Sequence, residues 1–172
     1  MEEFKILIGE KELQERIRAL GEQISQEIGE EELVVISILR GAIFFTTALT
    51  MNMKNKVKID FIQTASYGNN RTSNHEIKLL KDITEKIEGK HVLIVEDIID
   101  TGYTLSYVKE YLKEKNPLDI KIAVLLDKPE RREVEVAVDY VGFTIPNKFV
   151  VGFGFDIENC YRNLPYIGYV ED

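Results

Sequence analysis

The chain has one cysteine in 172 residues, Cys160, so no internal disulfide can form within it. With only His75 and His91 besides, neither a Cys/His zinc cluster nor a histidine-based metal site is available. Positive charge is scarce too. Against 30 Asp and Glu stand 22 Lys and Arg, leaving a formal charge of −8 and no basic footprint for nucleic acid or an anionic membrane. No apolar run approaches the ~20 residues that cross a bilayer. The opening MEEFKILIGE carries acids where a secretory signal carries bases. Repeats, low-complexity tracts and linker-like stretches are missing as well. These absences predict one reduced, cytoplasmic, globular domain over 1–172, long enough to bury a core.

What is present alternates. Lys11 to Gly29 has helical spacing, with Leu13, Ile17, Leu20, Ile24 and Ile28 on one face and Gly29 as its stop. LVVISIL, 33–39, is a nearly unbroken apolar run, as a parallel strand covered on both faces requires. Arg40-Gly41 then turns into AIFFTTALTMNM, predicted to be a buried helix. VKIDFIQTAS, HVLIVED and DIKIAVLLD are predicted strands, and Thr104 to Lys115 a helix ended by Pro117. Further short strands are predicted in VEVAVDYVGFTI and FVVGFGFD. The polar stretch YGNNRTSN, 67–74, has no apolar period and reads as a loop. Strands alternating with helices give an α/β fold with a mainly parallel sheet.

HVLIVEDIIDTGYTLS, 91–106, holds the chemistry. Glu96, Asp97 and Asp100 fall at the carboxyl end of a predicted strand, where open α/β sheets bind ligands. Asp100-Thr101-Gly102-Tyr103-Thr104 then offers a glycine, two hydroxyls and the free N–H groups of a starting helix, which suit an oxyanion. It lacks the Gly-Lys-Ser/Thr of a P-loop and the three spaced glycines of a dinucleotide fingerprint. Acids beside an anion site are consistent if they hold opposite ends of one ligand. A ribose 5-phosphate would set its phosphate on the turn and its 2′ and 3′ hydroxyls on Glu96 and Asp97, with Mg²⁺ offsetting the remaining negative charge. Helix capping by Asp100-Thr101 explains that pair alone, not the two adjacent acids before it.

VLIVEDIIDTGYTL resembles the phosphoribosyl pyrophosphate motif of the type I phosphoribosyltransferases, in the wording of the hypoxanthine-guanine branch. LRG, SYG, LLDKPERR and VGFTIPNKFVVGFGFD extend the likeness over nearly the whole chain. The resemblance implies a five-stranded mainly parallel core, about 30–130, under a small hood built from 1–10 and about 145–172. It also implies transfer of a phosphoribosyl group to a 6-oxopurine, with Mg²⁺ as cofactor and a homodimer or homotetramer as the assembly.

Residue by residue, it implies that Glu96 and Asp97 hold the ribose hydroxyls directly or through Mg²⁺. Asp100 would be the general base or acid near purine N7, and Thr101, Gly102, Tyr103 and Thr104 the 5′-phosphate site. Arg40 and Gly41 match the pyrophosphate loop, where the peptide before the basic residue can be cis, and Arg162 resembles a second pyrophosphate contact. Asp156 resembles an acid for a second Mg²⁺ near the base. Lys128, Phe149 and Val150 would read the purine: an ammonium suits a 6-oxo group and meets the amino group of adenine poorly. A core position is the competing reading for Phe149. Ser66-Tyr67 matches the dipeptide of a closing lid. Two residues depart from common relatives: Tyr103, where a basic or small polar residue is frequent, and Phe155, where an aliphatic residue against the purine is expected.

A regulator that keeps this fold while binding RNA or DNA would carry a basic patch, which a charge of −8 does not suggest. Lys128 speaks against a phosphoribosyltransferase for adenine, and the missing glycines exclude a Rossmann oxidoreductase.

Overall fold

The computed structural model describes residues 4–67 and 76–171. In chain order the elements are β1 (Lys5–Ile8), α1 (Glu10–Ile28), β2 (Leu33–Leu39), α2 (Ile43–Met51), β3 (Val57–Tyr67), β4 (Glu76–Lys81), β5 (His91–Ile99) and α3 (Tyr103–Lys113). They continue with β6 (Asp119–Asp127), a 3-10 turn (Pro129–Arg131), β7 (Tyr140–Thr144), β8 (Val150–Val151) and β9 (Ile167–Tyr169).

Alternation along the apolar strands builds two cores. Odd residues of β2 and β5 (Leu33, Val35, Leu93, Val95) pack with Leu13, Ile17 and Phe45 on the α1 and α2 side. Even ones (Val34, Ile36, Val92, Ile94) pack with Leu105, Val108 and Leu112 of α3 on the other. Ser37, buried in β2, is satisfied by the Thr46 hydroxyl at 2.7 Å. No helix among the described residues is long and apolar enough to cross a membrane.

The large sheet runs β4-β3-β2-β5-β6-β7, and a three-stranded antiparallel sheet runs β1-β9-β8. Five strands of the large sheet are parallel, as expected. A sixth, β4, pairs antiparallel with β3 at its edge. Behind it Asp60 is buried, accepting from the N–H groups of Phe61 (2.7 Å), Thr84 (2.6 Å) and Glu85 (2.8 Å), which clamps the connection after β4 to β3.

The short strands predicted in the last two stretches are present, each over only part of its stretch. Only Tyr140–Thr144 of VEVAVDYVGFTI pairs, because the backbone before it is engaged elsewhere: Val134 N–H donates to Thr101 O at 2.9 Å and Asp139 N–H to Ile122 O at 3.0 Å. FVVGFGFD is a strand only at Val150–Val151, since Gly152, Phe153 and Gly154 all have positive φ (92°, 47° and 104°) and turn the chain.

Candidate active site

Three neighbouring parallel strands, β2, β5 and β6, end side by side. Arg40-Gly41 follows β2, the acids end β5, and Lys128 follows β6 with its N–H on Ile99 O at 3.0 Å. Strand pairing alone therefore gathers three of the sequence-predicted groups at one edge.

The acids and the turn form one pocket of about 180 Å³, lined by Glu96, Asp97, Asp100, Thr101, Gly102 and Thr104 among others. Glu96 is 8 % exposed and its Oε1 accepts the Asp97 N–H at 2.9 Å. Burial, then the neighbouring Asp97 charge, pushes the Glu96 carboxyl well above the usual carboxylate range. Asp97 is also pushed up, first by burial, against the opposing pull of Arg162. A buried carboxylate beside a half-buried one, with only Arg162 opposing their charge among the described residues, suits a hard cation. Among the described residues no three His, Cys, Asp or Glu side chains cluster closely enough to complete a metal site by themselves. The Glu96–Asp97 pair fits Mg²⁺, which is commonly held by one or two carboxylates with waters and substrate phosphates.

Gly102 caps α3 at φ +95°, and a Cβ there would lie 2.3 Å from Val134 O. Only glycine fits. The segment 131–134 braces the turn from outside: Arg132 Nε donates to Asp100 O at 3.1 Å, while Glu133 and Val134 N–H both donate to Thr101 O. The Tyr103 hydroxyl donates to Glu133 Oε2 at 3.0 Å, so the unusual tyrosine joins the same brace. Sequence reasoning assigned no role to Arg131 or Arg132. Arg131 Nε lies 3.1 Å from Asp100 Oδ1, and Arg132 is paired with Asp127. LLDKPERR directly after a strand end was the available signal.

The peptide Leu39-Arg40 is cis. Arg40 is exposed, with Nη1 3.5 Å from Asn159 Oδ1. Gly41 packs against the acids, since a Cβ on it would lie 1.7 Å from Asp97 Oδ2. Gly154 faces Gly41 just as closely: its Cβ would be 2.2 Å from Gly41 O. Arg162 donates to Gly154 O at 2.6 Å and pairs with Asp156 at 2.7 Å. Asp156 Oδ2 also accepts Asn159 N–H at 2.7 Å, so both its oxygens are engaged within this loop.

Lys128 is 7 % exposed, and burial lowers its ammonium from the usual lysine range, against the raising effect of Asp100. Phe149 is 60 % exposed, which excludes the core position. It lines a separate cleft with Lys148 and Tyr169 rather than the acid pocket. Val150 and Phe155 are buried in the core beside Leu125 and Ile145. Ser66 is exposed where β3 pairs with Ile77 of β4, and Tyr67 ends β3; the remainder of the predicted loop, 68–74, lies outside the described residues.

The model of the phosphoribosyl transferase domain matches residues 9–158. A hypoxanthine phosphoribosyltransferase of Haemophilus influenzae is 49% identical over 168 residues, 96% of this chain and 94% of that protein. The bifunctional protein TilS/HprT of Listeria monocytogenes is 46% identical over 164 residues, 95% of this chain, but the chain spans only 25% of its length. A crystal structure of a hypoxanthine-guanine phosphoribosyltransferase from Bacillus anthracis superimposes with a TM-score of 0.93 at 46% identity, covering 99% of this chain and 100% of that one. With the profile spanning most of the sequence and relatives this similar along nearly all of it, the chain belongs to the phosphoribosyltransferase family.

Proposed function

We propose that this chain is a purine-salvage transferase that moves the 5-phosphoribosyl group of phosphoribosyl pyrophosphate to N9 of hypoxanthine or guanine, giving IMP or GMP and pyrophosphate. The observation that carries the reading is the shared pocket of Glu96, Asp97, Asp100 and the Thr101–Thr104 turn at the carboxyl end of β5. The names of the relatives, hypoxanthine and hypoxanthine-guanine phosphoribosyltransferases, support the choice of a 6-oxopurine.

In this reading the turn binds the 5′-phosphate through backbone N–H groups at the α3 N-terminus and the hydroxyls of Thr101 and Thr104. Glu96 and Asp97 accept the ribose hydroxyls directly or through Mg²⁺, and Asp156 would hold a second Mg²⁺ near the base. When bound, Mg²⁺ would neutralise charge on the pyrophosphate. A ligand role for Asp156 requires it to release Arg162. Arg40, the Gly41 backbone and Arg162 receive the pyrophosphate. Lys128 donates to the purine 6-oxo group, Phe149 stacks on the ring, and Val150 reads its edge through the backbone. As the C1′–oxygen bond breaks, pyrophosphate leaves with the electron pair, C1′ takes on oxocarbenium character, and N9 attacks while Asp100 accepts the purine proton near N7. The Asp100 side chain is 34 % exposed and lines the pocket, which leaves it reachable as that acceptor. Ser66 and Tyr67 belong to a lid that keeps water from the activated ribose.

The sheet of β1, β8 and β9 is the hood of a single domain, and the exposed apolar side chains of α2, Ile43 and Met51, support a homodimer or homotetramer. A spectrophotometric assay with Mg²⁺ and phosphoribosyl pyrophosphate tests the reading against hypoxanthine, guanine, xanthine and adenine in parallel. Turnover of hypoxanthine or guanine with adenine inert is expected. Turnover of adenine instead, or of none while phosphoribosyl pyrophosphate still binds, overturns it.

A further inference from the structure

Asp100 is approached by two arginines in different ways. Arg132 grips its backbone carbonyl and the Asp127 carboxylate, which fixes the chain rather than the side chain. Arg131 approaches the carboxylate itself, with Nε 3.1 Å from Oδ1, yet no N–H is aimed at that oxygen, so Oδ1 stays buried without a hydrogen bond among the described residues. The contact supplies charge at a covered oxygen, while the Asp100 side chain as a whole stays 34 % exposed. Such a buried, unfilled acceptor is uncommon and calls for a reason.

The surroundings supply one. Asp100 adds a third carboxylate to a pocket that already holds the buried Glu96 and the half-buried Asp97. Lys128 is the other cation acting on Asp100, but its ammonium is the group proposed to engage the purine oxygen. Once so engaged, it leaves Arg131 as the remaining counter-charge to Asp100. Arg131 is held by the 3-10 turn, its N–H on Lys128 O at 3.2 Å, and is half exposed, so its side chain can follow the carboxylate.

We infer that Arg131 is a positioning residue for Asp100: held against the covered Oδ1, it balances and orients the carboxylate without blocking the exposed remainder that would take the purine proton. The inference rests on the proposed transfer to a 6-oxopurine with Asp100 as the proton acceptor. Arg131 itself touches no substrate in this scheme. Its contribution therefore exists only while a carboxylate stands at position 100.

A double-mutant cycle reads that dependence. Single-turnover rates and KM for phosphoribosyl pyrophosphate are measured for the parent chain, Arg131→Met, Arg131→Lys, Asp100→Asn and the Arg131→Met/Asp100→Asn pair, with hypoxanthine and Mg²⁺. Arg131→Met should lower the rate about tenfold, part of the ~10²–10⁴ at stake in proton transfer, with KM for phosphoribosyl pyrophosphate within about twofold. Arg131→Lys should recover part of the loss, and Arg131→Met should change the residual rate of Asp100→Asn by less than about twofold. An unchanged Arg131→Met rate, or the same tenfold loss on the Asp100→Asn background, overturns the inference while leaving the assigned chemistry standing. Full turnover by Asp100→Asn removes the proton-acceptor role and the inference with it.

Discussion

Gly102→Ala tests how far the phosphate turn depends on its brace. Gly102 sits at φ +95°, a conformation that costs an L residue about 1–3 kcal/mol. Beyond that, the new Cβ would lie 2.3 Å from Val134 O, and to reach even 3.0 Å the carbonyl must retreat by 0.7 Å. The retreating segment carries the Glu133 and Val134 N–H groups that donate to Thr101 O at 3.0 and 2.9 Å. Weakening both hydrogen bonds adds about 1–3 kcal/mol. Gly89 gives an internal control, because it also has positive φ, +68°, in a turn closed by Lys90 N–H on Ile87 O, but nothing lies within 4 Å of an added Cβ. Gly102→Ala should therefore melt ~2–12 °C below Gly89→Ala, at ~2–4 °C per kcal/mol for a chain of this size. Since the N–H groups of the α3 N-terminus shift with the turn, KM for phosphoribosyl pyrophosphate should rise at least about tenfold in Gly102→Ala and stay unchanged in Gly89→Ala. Thermal melts and initial-rate kinetics on the two variants decide it. Equal melting temperatures with equal KM values would refute the argument that the brace holds the turn.

Lys128→Met should lower kcat/KM for hypoxanthine by roughly ten- to a hundredfold, the value of a charge-assisted hydrogen bond. Its melting temperature should hold or rise, because a buried ammonium gives way to an apolar chain of similar length. A stability loss with unchanged kinetics would make Lys128 a structural residue. Asp60→Asn should destabilise by about 2–4 kcal/mol at pH 7, since an amide group then opposes backbone donors. Burial alone would raise the Asp60 carboxyl, but the N–H groups of Glu85, Phe61 and Thr84 and the charge of Lys81 outweigh it and hold it below its ordinary value of 3.8. That contribution is present above about pH 4 and is lost as pH falls through the lower folded value. Urea unfolding at pH 7 and pH 3 should thus show the gap between parent and variant narrowing in acid; a gap of constant size would contradict the assignment.

The central strands were readable because their constraint is local. LVVISIL and HVLIVED must be apolar on both faces, and no other soluble element tolerates such short unbroken runs. Glu96, Asp97, Asp100 and Gly102 were readable for a related reason: they lie in one short stretch at one strand end and meet in one pocket. Long-range pairing was not legible. β1 and β9 join residues such as Lys5 and Tyr169, and nothing in either short segment names its partner. VEVAVD alternates like a strand, yet its N–H groups at Val134 and Asp139 go to a turn and to Ile122. Arg131 and Arg132 looked alike in sequence, and only geometry separates the one at the Asp100 carboxylate from the one at its backbone.

The order of strands across the sheet has an evolutionary consequence. β2, β5 and β6 are neighbours, and the groups at their ends follow the proposed substrate from pyrophosphate through ribose to base. Yet the ends are not independent, because residues 131–134 of the loop after β6 also brace the phosphate turn and Asp100 at the end of β5. Drift at Lys128 can retune the nucleobase, whereas drift a few residues further on disturbs the sugar chemistry as well. Lineages on such a scaffold can diversify the acceptor only within what the donor site tolerates.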